Sequence, residues 1–387
     1  MRHSVKLLLP LMVLVMAGFA APVRAQIGKD VRIAAGSPED KALNDIGTAT
    51  DPAKKLELIE KFQAEYGSGD MAVVAYEQFV NYYLQQKNYD KVYEYGEKLF
   101  QVDPDNFSNG VNLVRAAQEK GDVAKLFEYG EKVSGIITRY KAQGPPAGAN
   151  ETDWNGRKQR TLEEIGDNVT YLQQALFSTG YRVQDPSTRA GLLVRFANAF
   201  PDSSYIGRAL EIAVASYQQA QDYPKMLQVA NGVLAKDPNA TGMLILLAEY
   251  LSEKGEELDK AESYAMKAVE ALGSAKKPDD LSDEQWQQQT SLQKGLALTA
   301  LGQVGIWQKK NLQALESFKA AAPLLQPNPT MYARNQYRMG FALLNLKRVA
   351  EARTALTEAA AVDSPYRALA QEKLKSLPAG TGTRRNP

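Results

Sequence analysis

The chain has no cysteine and a single histidine, His3. The first absence removes disulfides, thiol redox chemistry, thiolate zinc sites and any lipid-modified cysteine anchor. The second is just as consequential, because His3 lies in a leader expected to be cut away. Without it there are no Ser-His-Asp or Cys-His nucleophilic sites, no imidazole metal ligands and no histidine-held haem. What survives is carboxylate chemistry, a magnesium or calcium site, or a lysine nucleophile; no metal and no cofactor is expected. Charge of one sign is lacking too: 46 Lys and Arg stand against 45 Asp and Glu. That balance gives no electrostatic reason for a nucleic-acid or anionic-membrane partner. Glycine-rich phosphate loops are missing, no stretch shows the apolar-polar alternation of a strand, and beyond residue 25 no run is apolar enough to span a bilayer.

What is present begins with the leader. Arg2 and Lys6 make a positive start, Leu7 to Ala21 is apolar apart from Pro10 and Gly18, and Val23-Arg24-Ala25 sets small residues at −3 and −1 of a cleavage site. This is the pattern of a secretory signal peptide over residues 1–25, cleaved after Ala25. Export of a chain without cysteine points to a bacterial periplasm, with no lipid anchor and no transmembrane span in the mature chain.

Internal self-similarity follows. Glu94-Tyr95-Gly96-Glu97-Lys98-Leu99 returns 34 residues later as Glu128-Tyr129-Gly130-Glu131-Lys132-Val133. A longer copy runs at an offset of 134. Asp51-Pro52 matches Asp185-Pro186, Phe62 matches Phe196, Tyr83 matches Tyr217, Asp103-Pro104 matches Asp237-Pro238 and Gly121 matches Gly255. Fixed periods of this size mark helical-repeat arrays.

These residues resemble the tetratricopeptide repeat (TPR) family. Six repeats start near Val73, Phe107, Gly207, Thr241, Gly295 and Ala333. The resemblance implies small residues at positions 8 and 20, met best by Gly302 with Ala314 and by Gly340 with Ala352. In earlier repeats position 20 is Val92, Leu126 or Met226, while position 24 is Gly96, Gly130 or Ala230. Large and small have traded places at roughly constant volume. The fold expected is all-α, a right-handed superhelical solenoid of antiparallel helix hairpins with a C-terminal capping helix opened by Ser364-Pro365. The expected organisation is a leader over 26–50, a first block over 51–144, a linker over 145–156 and a middle block over 157–277. A C-terminal pair with its cap over 278–377 and a disordered tail over 378–387 complete it. Asp51 to Tyr66 reads as a B helix without an A partner, and Arg157 to Gly180 as one A helix.

The resemblance implies a protein or peptide partner held on the face lined by the A helices, at positions 2, 5, 9, 12 and 13. Asn81 stands at position 9 of the first repeat and Asn112 at position 6 of the second, the places where relatives hold a peptide. Glu77 replaces the lysine that relatives use at position 5 to grip a carboxylate, so that clamp is not expected. Further along, Trp307, Tyr337, Phe341 and Leu344 gather apolar side chains on the same face. They are either anchors for a partner or core beneath the capping helix after Ser364 or a long helix after Asp283. Trp154 and Trp286 read as packing residues. The phrase Phe200-Pro201-Asp202-Ser203-Ser204-Tyr205 is similar to hairpin junctions of periplasmic repeat proteins in outer-membrane assembly and cell division.

Two functions from different classes are compatible with these features. One is a non-catalytic interaction scaffold in the cell envelope. The other is a hydrolase of cell-wall material working through carboxylates, but its adjacent pairs, Glu163-Glu164, Glu256-Glu257 and Asp279-Asp280, would diverge on a helix.

Overall fold

The computed structural model describes residues 27–378 except Pro146, Ala149 and Asp280. The expected signal peptide (1–25) and residues 379–387 of the expected tail lie outside the described residues. Among those described, all regular structure is helical, and no helix is long and apolar enough to cross a membrane. The chain forms two compact units that divide between Leu176 and Phe177.

In the first unit α1 (Pro38–Thr48) packs on α2 (Pro52–Tyr66), α3 (Met71–Gln85) on α4 (Tyr89–Val102), and α5 (Phe107–Lys120) on α6 (Val123–Ala142). Then α7 (Glu151–Glu164) leads into α8 (Gly166–Arg182), inside which the division falls. In the second unit α9 (Pro186–Ala199) packs on α10 (Ile206–Gln219), followed by α11 (Tyr223–Lys236). Three further hairpins pair α12 (Thr241–Lys254) with α13 (Leu258–Ser274), α14 (Asp283–Trp307) with α15 (Asn311–Leu325), and α16 (Pro329–Asn345) with α17 (Val349–Ala361). The last helix, α18 (Tyr366–Lys375), lies on α16 and α17. Each unit is thus a stack of helix hairpins, and the chain is an all-α solenoid of the TPR-like kind.

The turn between the two helices of a hairpin fixes the register. Position 15 of all six repeats is left-handed: Lys87, Gly121, Gln221, Gly255, Lys309 and Lys347 have φ between 54° and 73°. The next residue donates its N–H five residues back, as in Asn88 to Tyr83 O (2.9 Å) and Arg348 to Leu343 O (2.9 Å). The same bond closes the other four turns. This is the Schellman closure, which satisfies the carbonyls that a helix end leaves orphaned. Glycine adopts that conformation without strain; at the other four turns a Lys or Gln is forced into it. The extra residue of the fourth repeat is absorbed at Glu257, itself left-handed at φ 42°.

The exchange of large and small residues has a clear packing consequence. In the first unit two glycine holes, Gly96 and Gly130, lie on B helices at position 24 and receive a side chain from the next A helix, while Gly110 on an A helix receives Val133 from within its own hairpin. A Cβ on Gly96 would sit 2.6 Å from Leu113, and one on Gly130 2.6 Å from Leu176. In the second unit the holes lie on A helices and are filled from within the hairpin: Gly302 receives Phe318 and Gly340 receives Leu356. Val92, Leu126 and Met226 are fully buried opposite.

Some stretches differ from the sequence reading. The leader contains α1, started by Ser37, whose side chain accepts from the Asp40 N–H. Its Ile46 joins Ile59, Phe62 and Phe79 in one core, so α2 does have a helical partner. The linker over 145–156 already contains the first turns of α7, capped by Asn150. The single helix expected over 157–180 is broken at Ile165, giving α7 and α8. In the second unit the long helix expected after Asp283 and the A helix expected from Gly295 are one helix, α14, which starts twelve residues before Gly295, at Asp283, and is capped by Ser282 with a complete capping box to Gln285.

Candidate functional site

The sequence singled out Asn81 and Asn112, and the structure brings them together. Asn112 Nδ2 donates to Asn81 Oδ1 at 3.3 Å, from α5 to α3. One hairpin further the relation recurs: Arg115 Nη2 donates to Asn168 Oδ1 at 3.3 Å, from α5 to α8. Its guanidinium also lies 5.4 Å from the Tyr171 ring, and the Tyr171 hydroxyl donates to Gln118 Oε1 at 2.6 Å. The A-helix face of the first unit therefore carries a polar ladder across α3, α5 and α8. Each carboxamide has both a donor and an acceptor, so the asparagine pair still offers an N–H and a C=O outward. Those are the complements of one peptide group of an extended chain.

Glu77, next to this ladder, is turned to internal use. It accepts from Asn106 Nδ2 at 2.9 Å, and burial, with Asp103 nearby, pushes its carboxyl above the ordinary range. Asn106 in turn caps α5 and is buried.

The second group of residues does not form one patch. Tyr337 packs edge-on against Phe341 (5.0 Å between centroids) and on Tyr366 of α18 (5.8 Å). Lys373 of α18 stands over the Phe341 ring at 5.0 Å. Leu344 packs on the cluster of Leu315, Leu343, Ala352 and Ala355. Trp307 lies apart, half exposed, with its indole N–H donating to Ser252 O of α12 at 2.8 Å.

An ionic network that sequence reasoning missed occupies the A-helix face of the second unit. Arg334 of α16 binds Glu249 of α12, and Arg338 binds Glu253 at 2.8 Å, with Arg334 also 3.7 Å from Glu253. Arg334 and Arg338 are nearly buried. Burial pushes the Glu249 carboxyl up, with the two guanidinium groups pulling the other way. The charges sit at positions 9 and 13 of the fourth repeat and 2 and 6 of the sixth. The only signal for them in the sequence was this skip of one whole repeat.

No protein-family model matches the chain, and no curated protein matches it. Among solved structures, the APC/C hetero-tetramer Cut9-Hcn1 is similar, with 10% identity, a TM-score of 0.43 and 87% of this chain covered. The chain spans 62% of the length of that protein. The TPR domain of P58(IPK) shows 13% identity and a TM-score of 0.29, covering 88% of this chain and 98% of that one. Yeast Tom70 shows 13% identity and a TM-score of 0.30, covering 87% and 94%.

Proposed function

We propose that this chain is a non-catalytic scaffold of the bacterial cell envelope that holds an extended segment of a protein partner on the A-helix face of its first unit. The observation that carries the reading is the ladder of Asn81, Asn112, Arg115, Asn168 and Tyr171, a row of amide, guanidinium and phenol groups whose polar contacts are with one another and with Gln118. The corresponding face of the second unit is filled by its own ion pairs. Tyr337 and Phe341 then serve chiefly to seat the last helix and Leu344 to pack α16 on α15 and α17, while Trp307 keeps an open ring edge for a partner. Delivery to the envelope rests on the leader, with cleavage after Ala25. No observation favours the carboxylate hydrolase: Glu163 and Glu164 are adjacent, exposed residues of α7 and point in different directions.

A photo-crosslinking residue placed at Asn112 in living cells tests the reading, with Glu128 on the B-helix side as reference. Discrete adducts from position 112 and none from 128 are expected; the reverse, or none from either, overturns it. N-terminal sequencing of the envelope fraction should read Gln-Ile-Gly-Lys, and an intact Met1 would refute export.

A further inference from the structure

The inserted helix α7 belongs to none of the six repeats, and its attachment is specific. Helix α6 ends with carbonyls that no further turn can satisfy. Trp154 donates its indole N–H to Gln143 O at 3.2 Å, Lys158 Nζ donates to Gln143 O at 2.6 Å and to Lys141 O at 3.0 Å, and Tyr140 donates to Thr161 at 3.0 Å. Helix α7 is thus held as the C-terminal cap of α6.

Opposite α7 runs a strap, residues 27–30, bent at Ile27 and Gly28. Ile27 is 5% exposed and its carbonyl accepts from Phe107 N–H. The Lys29 N–H donates to Asp103 Oδ2 at 3.1 Å. Gly28 has φ +119°, and a Cβ there would lie 2.6 Å from that same oxygen, so only glycine fits. Between strap and helix lies a cleft of about 1010 Å³. That is at the upper end of the roughly 300–1,000 Å³ of small-molecule pockets, and the space is large enough for several residues of a peptide.

Which wall charges remain free decides what fits. Asp105 is bound by Arg139 at 2.6 Å, Asp30 by Arg32 at 3.1 Å, and Asp103 accepts from the strap and from Asn106. Lys29 is spent on Asp70 at 3.1 Å. What is left is Arg157 and Arg160, neither with an acceptor among the described residues, against the single carboxylate of Glu164. Arg157 lies 5.8 Å from the Trp154 ring, setting a guanidinium beside an aromatic face. A planar guanidinium fork matches a carboxylate in two parallel hydrogen bonds, and the indole offers apolar contact next to it.

We infer that the cleft between α6, α7 and the 27–30 strap is a second binding site, separate from the ladder, that takes an acidic extended segment of a protein partner. Arg157 and Arg160 bind its carboxylates and Trp154 contacts an apolar side chain between them.

Fluorescence anisotropy of a fluorescein-labelled Glu-Glu-Phe-Leu-Glu-Glu peptide on the full mature chain tests this. Saturable binding is expected, weakened at least about tenfold by Arg157→Glu with Arg160→Glu. Both side chains are exposed, so the fold should survive, and an unchanged circular dichroism spectrum checks it. The Glu variant should instead bind the peptide with Lys in place of each Glu. Arg208→Glu, in the other unit, should leave affinity as it was. No saturation below about 1 mM, indifference to the charge reversal, or equal binding of heparin, a polyanion without apolar side chains, each overturns the proposal.

Discussion

The indole of Trp307 lies flat against Gly255: a Cβ on that glycine would meet the ring at 3.1 Å, and the glycine itself is left-handed at φ 71°. The Trp307 N–H is meanwhile bonded to Ser252 O. One residue thus closes the turn of the fourth repeat from the fifth. Gly255→Ala should therefore destabilise by about 1–3 kcal/mol, combining a strained φ with a displaced ring. Trp307→Ala, which keeps half its surface in water, should lose less than the 3–5 kcal/mol or so of a fully buried aromatic, about 1–2 kcal/mol. Urea unfolding of both variants checks the order; a neutral Gly255→Ala would contradict the packing.

The four strained turns offer the converse experiment. Replacing Lys87, Gln221, Lys309 or Lys347 by Gly relieves a left-handed conformation that a side chain resists. Each change should raise stability by about 0.5–1 kcal/mol, read as a higher urea midpoint without a change in slope. The same substitution at an exposed helix interior such as Gln287 of α14 should lower it by about 1 kcal/mol.

Arg334 is the partner that makes the Glu249 carboxylate tolerable in its nearly buried place. Arg334→Met should cost about 3–5 kcal/mol, because it leaves that charge uncompensated. Arg334→Met with Glu249→Leu should recover most of the loss. Glu249 also gives the pH sense. Its folded carboxyl binds a proton more tightly than the unfolded one, so its contribution is most favourable in acid. That contribution declines as pH rises from the ordinary value of 4.5 towards the raised folded one. The decline should be steeper in Arg334→Met, where nothing opposes the burial. Unfolding followed between pH 4 and 8 settles it; stability that increases with pH in the single variant would sink the argument.

Glu94 shows the opposite sign. Lys91 and Lys98, each at 2.7 Å, hold its carboxyl down to about 2. The stabilisation is present above the ordinary value of 4.5 and is lost as pH falls through about 2. All three side chains are well exposed, so its size stays under about 1 kcal/mol. An NMR titration of the Glu94 carboxyl carbon should show the midpoint rise on Lys91→Ala with Lys98→Ala.

Much of the fold was legible because it repeats. The 34-residue period fixed the six hairpins, Asp51 and Asp185 marked the starts of α2 and α9 before proline, and the volume exchange at Gly96 and Gly130 appears as direct packing on Leu113 and Leu176. What escaped was what breaks the period. Helix α1 buries only Ile46 and has a polar sequence, so no apolar stripe announced it. Helix α7 buries only Thr161 and is held by side chains reaching back to α6 carbonyls, a tie that periodicity does not encode. For the site, Asn81 and Asn112 were readable from their repeat positions. The Glu249–Arg334 pair, 85 residues apart, was not, because neighbour-to-neighbour reasoning looks one repeat ahead.

The two placements of glycine also limit how such a chain can be recombined. Joining α14 to α4 in one hairpin would set Gly302 opposite Gly96, hole against hole, and leave a void. Joining α3 to α15 would drive Val80, buried at the matching position, into Phe318. Single helices are therefore not exchangeable parts between early and late hairpins. A graft or a tandem duplication succeeds only if it carries a hairpin together with the neighbour whose side chain fills its hole, and the copied stretch at an offset of 134 residues, several hairpins long, has that form.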